Sequence, residues 1–248
     1  MLTGLFAASR SRFRVALAET PADLARARRL RALVFRRGEC EDGDAFDALC
    51  RHVLIEEVAS GTLVATLRLM PIAHGAEIDR SYSAQYYELA GLSRFDRPLL
   101  ELGRFCLHPD WHHPDILRLA WAAVTRHVEA TGAGMLFGCS SFQGTEAGDY
   151  LDAFALLRAR HLGPRRWLPR VKAPRVFRFG RALRARVPDP RLAMQRMPPL
   201  LRSYLAMGGW VSDHAVIDSD LKTLHVFTGL EIGRIPPGRA RLLRLAAR

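Results

Sequence analysis

A strand that carries both signs of charge sets the tightest limit on how this chain folds. Glu101-Leu102-Gly103-Arg104-Phe105-Cys106-Leu107-His108-Pro109 reads as a core strand, yet it holds a carboxylate, a guanidinium and a glycine. In an interior, such charges are costly unless they are paired or used. Strict alternation puts Glu101, Gly103 and Phe105 on one face and Leu102, Arg104 and Cys106 on the other. Glu101 and Arg104 share a side only if the strand bulges near Gly103, and glycine inside a strand often marks a bulge. A bulge would release backbone N–H groups from the ladder toward a cleft, where they can hold a carbonyl. The competing reading is a surface strand with an ordinary ion pair.

The flanking sequence places this strand in an α+β chain. Arg12–Glu19 alternates like a half-buried strand. Thr20-Pro21-Ala22-Asp23 then opens a helix to about Arg36, with threonine as cap and proline in the first turn. Leu24, Ala27, Leu30, Val34 and Phe35 are its expected packing positions. An acidic loop follows from Arg37 to Cys50, with Glu39, Glu41, Asp42, Asp44 and Asp47. His52–Val58 and Thr62–Met70, joined by a turn at Ser60-Gly61, read as an antiparallel hairpin. After the charged strand, helix periodicity runs from Pro114 to Thr131, with Ile116, Leu117, Leu119, Ala120, Val124 and Val128 spaced for burial. Met135–Ser141 reads as a buried strand and Gly148–Arg160 as a helix. Further on, Pro199–Met207 is helical, Gly208-Gly209 breaks it, and His214–Asp218 and Leu224–Thr228 are strands. The expected fold is a mixed, mostly antiparallel twisted sheet flanked by helices.

Composition narrows the partners. A chain of 248 residues with 49% hydrophobic side chains can build one large core. No apolar run reaches the roughly 20 residues of a membrane span. The start, Met1–Ala8, carries its positive charges after the apolar run and makes a poor signal peptide. Cys40, Cys50, Cys106 and Cys139 show no CxxC spacing, which suits reduced thiols in the cytoplasm. The net charge of +12 is concentrated: twelve basic side chains between Leu156 and Arg191 face a single acid, Asp189. Arg165, Arg166, Arg170, Lys172, Arg175 and Arg178 lie in this stretch. Such a face attracts an acidic protein, an anionic membrane or nucleic acid, and the interleaved Trp167, Leu168, Val171, Val176, Phe177 and Leu183 suit contact with lipid or stacking on nucleotides.

Five pieces in order carry a family resemblance: Arg31–Phe35; Asp44–Asp47; Gly61 through Arg68-Leu69-Met70-Pro71; Glu101–Arg104; and Leu136–Thr145. Together with the element order, they resemble the GNAT acyltransferase fold. The first four are similar to the shared signature of acyl-homoserine-lactone synthases and of the ornithine N-acyltransferases that begin ornithine-lipid synthesis. The fifth, with Pro198–Leu205 and Asp218, resembles the ornithine enzymes alone. Arg36-Arg37-Gly38-Glu39-Cys40 stands where lactone synthases usually carry a tryptophan. From Asp218 the chain reads Asp-Ser-Asp-Leu-Lys-Thr-Leu-His-Val, departing from the family's phenylalanine-asparagine pair and further aspartate. The resemblance implies transfer of a 3-hydroxyacyl group from acyl carrier protein to the α-amino group of L-ornithine, giving lyso-ornithine lipid. It also implies a cytoplasmic protein peripheral to the inner membrane. On this reading residues 1–160 are the acyltransferase core, 161–192 an arginine-rich docking segment, and 193–248 a helix and strands completing the same domain.

Chemistry gives the site residues roles. An α-ammonium must lose a proton before its nitrogen attacks a thioester, which makes Glu101 the candidate base, helped if partial desolvation raises its pKa. Backbone N–H groups at Gly103 would stabilise the tetrahedral oxyanion. Arg104 either binds the ornithine carboxylate or clamps Glu101 or Asp47. Asp44 and Asp47 either meet the ornithine side-chain ammonium or pair with Arg31 and Arg68. Arg31, Phe35 and Arg68 complete the expected substrate site. Ser140, Ser141 and Thr145 either bind the pantetheine arm and the acyl hydroxyl or satisfy local backbone groups. The loop His108–Pro114 has no glycine with which to cradle a pyrophosphate, which favours a carrier-protein donor over coenzyme A. His108, His112 and His113 lack the partner spacing of a metal site, and no cofactor, metal or nucleic acid is expected. The alternatives are a lactone-synthase-like enzyme and a non-catalytic arginine-rich module for anionic lipid or RNA.

Overall fold

A computed structural model describes residues 12–36, 38 and 41–247. Glu39 and Cys40 of the acidic loop, Arg37 beside them and the Met1–Ala8 stretch lie outside the described residues.

The strands and helices follow in chain order: β1 (Phe13–Leu17), α1 (Pro21–Phe35), β2 (Arg51–Glu57), β3 (Leu63–Ile72), β4 (Tyr87–Glu88), β5 (Leu99–Leu107), α2 (Pro114–Thr131), β6 (Met135–Gln143), α3 (Leu151–Arg160), β7 (Arg170–Val171), β8 (Val176–Phe177), α4 (Phe179–Ala182), α5 (Pro190–Arg196), α6 (Pro199–Ala206), β9 (Trp210–Asp218), β10 (Thr223–Glu231) and α7 (Pro237–Ala247). The expected helices and strands are all present. The structure adds α7 and the short elements after α3. The chain forms two compact units. One holds the described residues up to Pro71, Leu102–Thr131 and those from Ala240 on; the other holds Ile72–Glu101 and Gly132–Arg239.

In the first unit, strands run in the order β1-β2-β3-β5. The β2–β3 hairpin is antiparallel, with Val53 opposite Leu67 and Leu54 opposite Thr66. Its turn works as the sequence predicts: Gly61 takes φ 68 and donates to the Glu57 carbonyl at 2.9 Å. Every residue from Leu63 to Met70 is buried, including Thr66 and Arg68. Thr20 caps α1 by accepting from the Asp23 N–H at 3.2 Å, and the Asp23 carboxylate accepts from the Thr20 N–H at 3.1 Å. This reciprocal cap fixes where α1 begins. Ala27 and Leu30 of α1 pack with Leu54, Leu63 and Cys106. Burial pushes the Cys106 thiol up to about 12.

In the second unit, strands run in the order β5-β6-β10-β9-β8, with β4 and β7 as a separate pair. The described β5–β6 pairs are parallel, from Leu99 opposite Met135 to Glu101 opposite Phe137. The β6–β10, β10–β9 and β9–β8 pairs are antiparallel. Strand β9 bulges at Ser212–His214, where the Ser212 hydroxyl donates to the His214 carbonyl (2.7 Å) and accepts from the Phe227 N–H (3.1 Å). One apolar cluster joins Ile72, Ile78, Ala84, Tyr87, Leu89 and Leu92 to Phe137, Trp210 and Phe227. The long connection before β5 is thus built into the core. Elsewhere in the unit Phe154 of α3 meets Phe142 at 4.9 Å and Phe179 at 5.1 Å between ring centroids.

Candidate active site

The charged residues singled out for chemistry fall in two places, an arginine–aspartate network in the first unit and the buried Glu101 in the second. In the first, α1 presents Arg31, the loop after it presents Asp42, Asp44 and Asp47, β3 presents Arg68 and β5 presents Arg104. Arg31, only 1% exposed, donates from Nε to Asp42 Oδ2 (2.8 Å) and from Nη1 to Asp47 Oδ1 (2.7 Å). Arg68 Nη1 reaches Asp44 Oδ1 (2.6 Å) and Asp47 Oδ1 (2.9 Å), and Arg28 Nε reaches Asp47 Oδ2 (2.9 Å). Arg104 bridges Asp42 and Asp44, each at 3.3 Å. Its guanidinium lies 5.8 Å from the Phe35 ring, and that of Arg68 5.7 Å from Phe46.

The loop supports this geometry locally. Asp44 caps a short 3-10 turn, Ala45–Leu49, by accepting from the Phe46 N–H at 3.0 Å, and that turn carries Asp47 inward. Burial alone would push the Asp47 carboxyl up, but hydrogen bonds and charge from Arg31, Arg28 and Arg68 hold it well below the usual carboxylate range. Asp44 is lowered too, against the same burial penalty, by its hydrogen bond from Arg68. Arg68 is raised above its ordinary value despite burial, through Asp44.

The sequence offered Glu101 or Asp47 as partners for Arg104; the structure gives it Asp42 and Asp44. It also favours ion pairing with arginine for both Asp44 and Asp47. The backbone irregularity expected at Gly103 falls one residue later: Arg104 has φ 50, a left-handed conformation that costs an arginine energy. Gly103 itself lies against Arg68, whose Nε would be 3.4 Å from an added Cβ.

In the second unit Glu101 is 4% exposed. Its Oε2 accepts from the Tyr82 N–H (2.9 Å), and its Oε1 accepts from the Ser83 N–H (2.8 Å) and hydroxyl (2.6 Å). Burial opposes the charge of this carboxylate, and the three donors favour it and fix its orientation. Ser83 Oγ is also 3.5 Å from Cys139 Sγ. Tyr204 of α6 is buried, and its phenol is pushed up by burial first and then by the charges of Glu101 and Cys139. The Tyr82 and Tyr86 rings stand 5.4 Å apart, and Tyr86 packs edge-on to His225 at 4.9 Å. Tyr87 bonds His225 through its hydroxyl, 2.8 Å from the carbonyl and 3.1 Å from Nδ1.

The serines of β6 separate. Ser140 is buried and its Oγ accepts from the Thr228 hydroxyl at 2.9 Å, whereas Ser141 is exposed, opposite His225 in the ladder. Thr145 is half-buried beyond the strand. Arg165, Arg166, Arg170, Lys172, Arg175 and Arg178 are all exposed. Lys172 Nζ donates to the Ala84 carbonyl (2.6 Å), and Arg175 Nη1 to Ser219 (2.7 Å). The apolar residues between them turn inward instead of outward: Trp167 and Val176 pack on the apolar cluster, Phe177 meets Phe154 at 5.6 Å, and Leu183 is buried. Among the described residues no group of three or more His, Cys, Asp or Glu is placed to hold a metal ion. His108 and His113 each spend Nδ1 accepting from a nearby backbone N–H, of Asp110 and Asp115.

Sequence reading missed Tyr82, Ser83, Tyr204 and His225 as neighbours of interest, and passed over Asp42 as one acid among several. A signal was present for the first two: a polar, aromatic run from Ser81 to Tyr87 inside a long connection, the kind of segment that carries function.

Comparison with known proteins identifies the fold and the family. The Acetyltransferase (GNAT) domain family matches residues 30–122, the span holding Arg31, Asp42, Asp44, Asp47, Arg68, Glu101 and Arg104. Among solved structures, the N-acyl amino acid synthase FeeM from uncultured soil microbes superposes with a TM-score of 0.54, at 9% identity over 93% of this chain and 99% of that one. The CoA-dependent acyl-homoserine lactone synthase MesI gives 0.50, at 14% identity over 94% and 95%. The fold is therefore GNAT-like. The L-ornithine N(alpha)-acyltransferase of Rhodobacter capsulatus is 33% identical over 75% of this chain and 72% of its own length. That of Brucella abortus is 30% identical over 79% and 72%. This chain belongs to the L-ornithine N(alpha)-acyltransferase family.

Proposed function

We propose that this protein moves a 3-hydroxyacyl group from acyl carrier protein to the α-amino group of L-ornithine, giving lyso-ornithine lipid. The observation that carries the reading is the identity to relatives named for N(alpha)-acylation of ornithine, over three quarters of this chain. In the reaction Glu101 takes a proton from the ornithine ammonium, directly or through one water. The freed nitrogen attacks the thioester carbonyl and backbone N–H groups near Gly103 stabilise the oxyanion. The nitrogen then gives up its second proton to water, and the C–S bond breaks with the departing sulfur taking the proton held by Glu101, so that the carrier leaves as a thiol. The donors from Tyr82 and Ser83 support this role because they hold the base in one orientation.

Arg104 offers the planar fork that suits an amino-acid carboxylate. Asp44, with its side chain 24% exposed, is the member of the arginine network open to a substrate ammonium; Asp47, at 1%, is enclosed and holds Arg31 and Arg68 in place. Arg31 and Phe35 shape the same site. Ser141 and Thr145 remain candidates for the pantetheine arm, and the enclosed Ser140 supports β6. The exposed cations from Arg165 to Arg178 dock the acidic carrier protein or the anionic face of the inner membrane, where a cytoplasmic enzyme would deliver a lipid precursor.

Mass spectrometry tests the proposal. Purified protein given 3-hydroxyacyl carrier protein and mixed amino acids should form N-acyl-ornithine, and Glu101→Gln should lower the rate at least about 100-fold. A product on another amine would reassign the acceptor. Equal turnover with the coenzyme A thioester would reassign the donor, and full activity of Glu101→Gln would remove Glu101 as the base.

A further inference from the structure

Helix α7 has one face that packs and one that does not. Ala240 and Leu243 are half-buried and Ala247 is buried, on positions spaced to share one side of the helix. On that side Arg126 Nη1 donates to the Ala247 carbonyl at 3.4 Å, and Arg244 Nε pairs with Glu129 at 3.2 Å. The opposite side presents Arg241, Leu242 and Leu245. Leu242 is 61% exposed and Leu245 53% exposed. Arg239 flanks them, and Pro237–Ala247 contains no acidic residue.

We propose that α7 lays this face into the interfacial layer of a membrane rich in anionic lipid. Leucines side by side at the centre and arginines around them match both layers of such a surface: apolar side chains enter the acyl boundary while guanidinium groups stay with the phosphates. Other occupants fit less well. A second copy of the same face would set arginines against arginines. The arginine stretch from Arg165 to Arg178 can meet an anionic surface by charge, but Trp167, Val176 and Phe177 are turned inward and it has no apolar face to insert. Among the described residues no helix is long and apolar enough to cross a membrane, so α7 lies on the bilayer surface.

Flotation of the full chain with vesicles tests this. Wild-type protein should bind phosphatidylglycerol-containing vesicles and leave pure phosphatidylcholine vesicles free. The double variant Leu242→Ser/Leu245→Ser should lose binding at least about tenfold, and Arg239→Glu/Arg241→Glu should lose it with the leucines intact. Both should melt at the wild-type temperature. Tryptophan at position 245 (Leu245→Trp) should shift its emission to the blue on anionic vesicles. Wild-type affinity in the leucine variant overturns the proposal. So does loss of binding in Leu192→Ser/Met194→Ser with the α7 variants unaffected, a dimer that the leucine variant dissolves, or wild-type protein that ignores anionic vesicles. Because the readout is binding alone, the proposal stands or falls apart from the acyl donor and acceptor.

Discussion

In the first unit Arg31, Arg68 and Arg104 meet Asp42, Asp44 and Asp47, each charge answered by an opposite one. In the second unit the named donors to Glu101 are neutral: two backbone N–H groups and a serine hydroxyl. The two solutions differ in what they leave for chemistry. Opposite charges in a network lock one another, and losing one member strands its partners in a poor solvent. Neutral donors fix the orientation of a carboxylate and favour its ionised form. The first arrangement locks several elements together, the second holds one carboxylate in one orientation.

This contrast can be broken experimentally, starting with the largest effect. Asp47→Ala removes the shared partner of Arg28, Arg31 and Arg68 and should cost about 3–5 kcal/mol by urea denaturation; a loss within about 0.5 kcal/mol would show that the network is not a lock. Ser83→Ala deletes one donor to Glu101 and should cost less, about 1.5–3 kcal/mol. If Glu101 is the base as proposed, it should also slow turnover, since Glu101 loses part of its orientation; unchanged kinetics would detach the Ser83 hydroxyl from catalysis.

The next effect is a pH dependence of stability with two windows. The Asp47 carboxyl has a folded pKa below its unfolded one, so its contribution is present above about pH 4 and lost as the pH falls below that. His225 is lowered to about 3, by burial first and the charge of His214 second. Its unfolded ring binds a proton near pH 6.5 that the folded ring refuses, so stability falls as pH drops from about 6.5 toward 4. The slope is up to about 1.4 kcal/mol per pH unit for that proton. His52, His127 and His161, also lowered chiefly by burial, add to the same window. His225→Gln should reduce this slope and leave the edge below pH 4 unchanged; an unaltered slope would show that the ring is not held neutral by the fold.

The smallest effect belongs to Gly103→Ala. Its Cβ would find Arg68 at ordinary contact distance, and Gly103 is not among the positive-φ glycines, so the cost should stay within about 0.5 kcal/mol. A larger loss would mean that the strand needs glycine there for a reason other than space.

The arginine network was largely legible. Arg104 stood out because an ionised side chain in an apolar strand demands a partner, Arg31, Asp44, Asp47 and Arg68 stood out through the family resemblance, and the ion-pair network is their mutual answer. Asp42 was harder to pick from an acidic loop, since only burial distinguishes it from Glu41. The cage around Glu101 was illegible, because backbone N–H groups have no sequence signature and Ser83 resembles any loop serine. The arginine segment shows the reverse error. Trp167, Val176, Phe177 and Leu183 look like a lipid-facing surface in one dimension, yet they pack into the unit that holds β8 and α3.

Hydrophobic period, helix caps and turn glycines are local properties, and they determined by themselves the hairpin at Gly61, the span of α2, the start of α1 at its Thr20 cap and the order of elements in a GNAT-like α+β fold. Tertiary structure alone decided which donors surround Glu101, that Arg104 answers Asp42 and Asp44, and that Ser140 is enclosed while Ser141 is open. Those choices depend on contacts between segments far apart in the chain. Such contacts form only when burial makes an unpaired polar group too costly to leave.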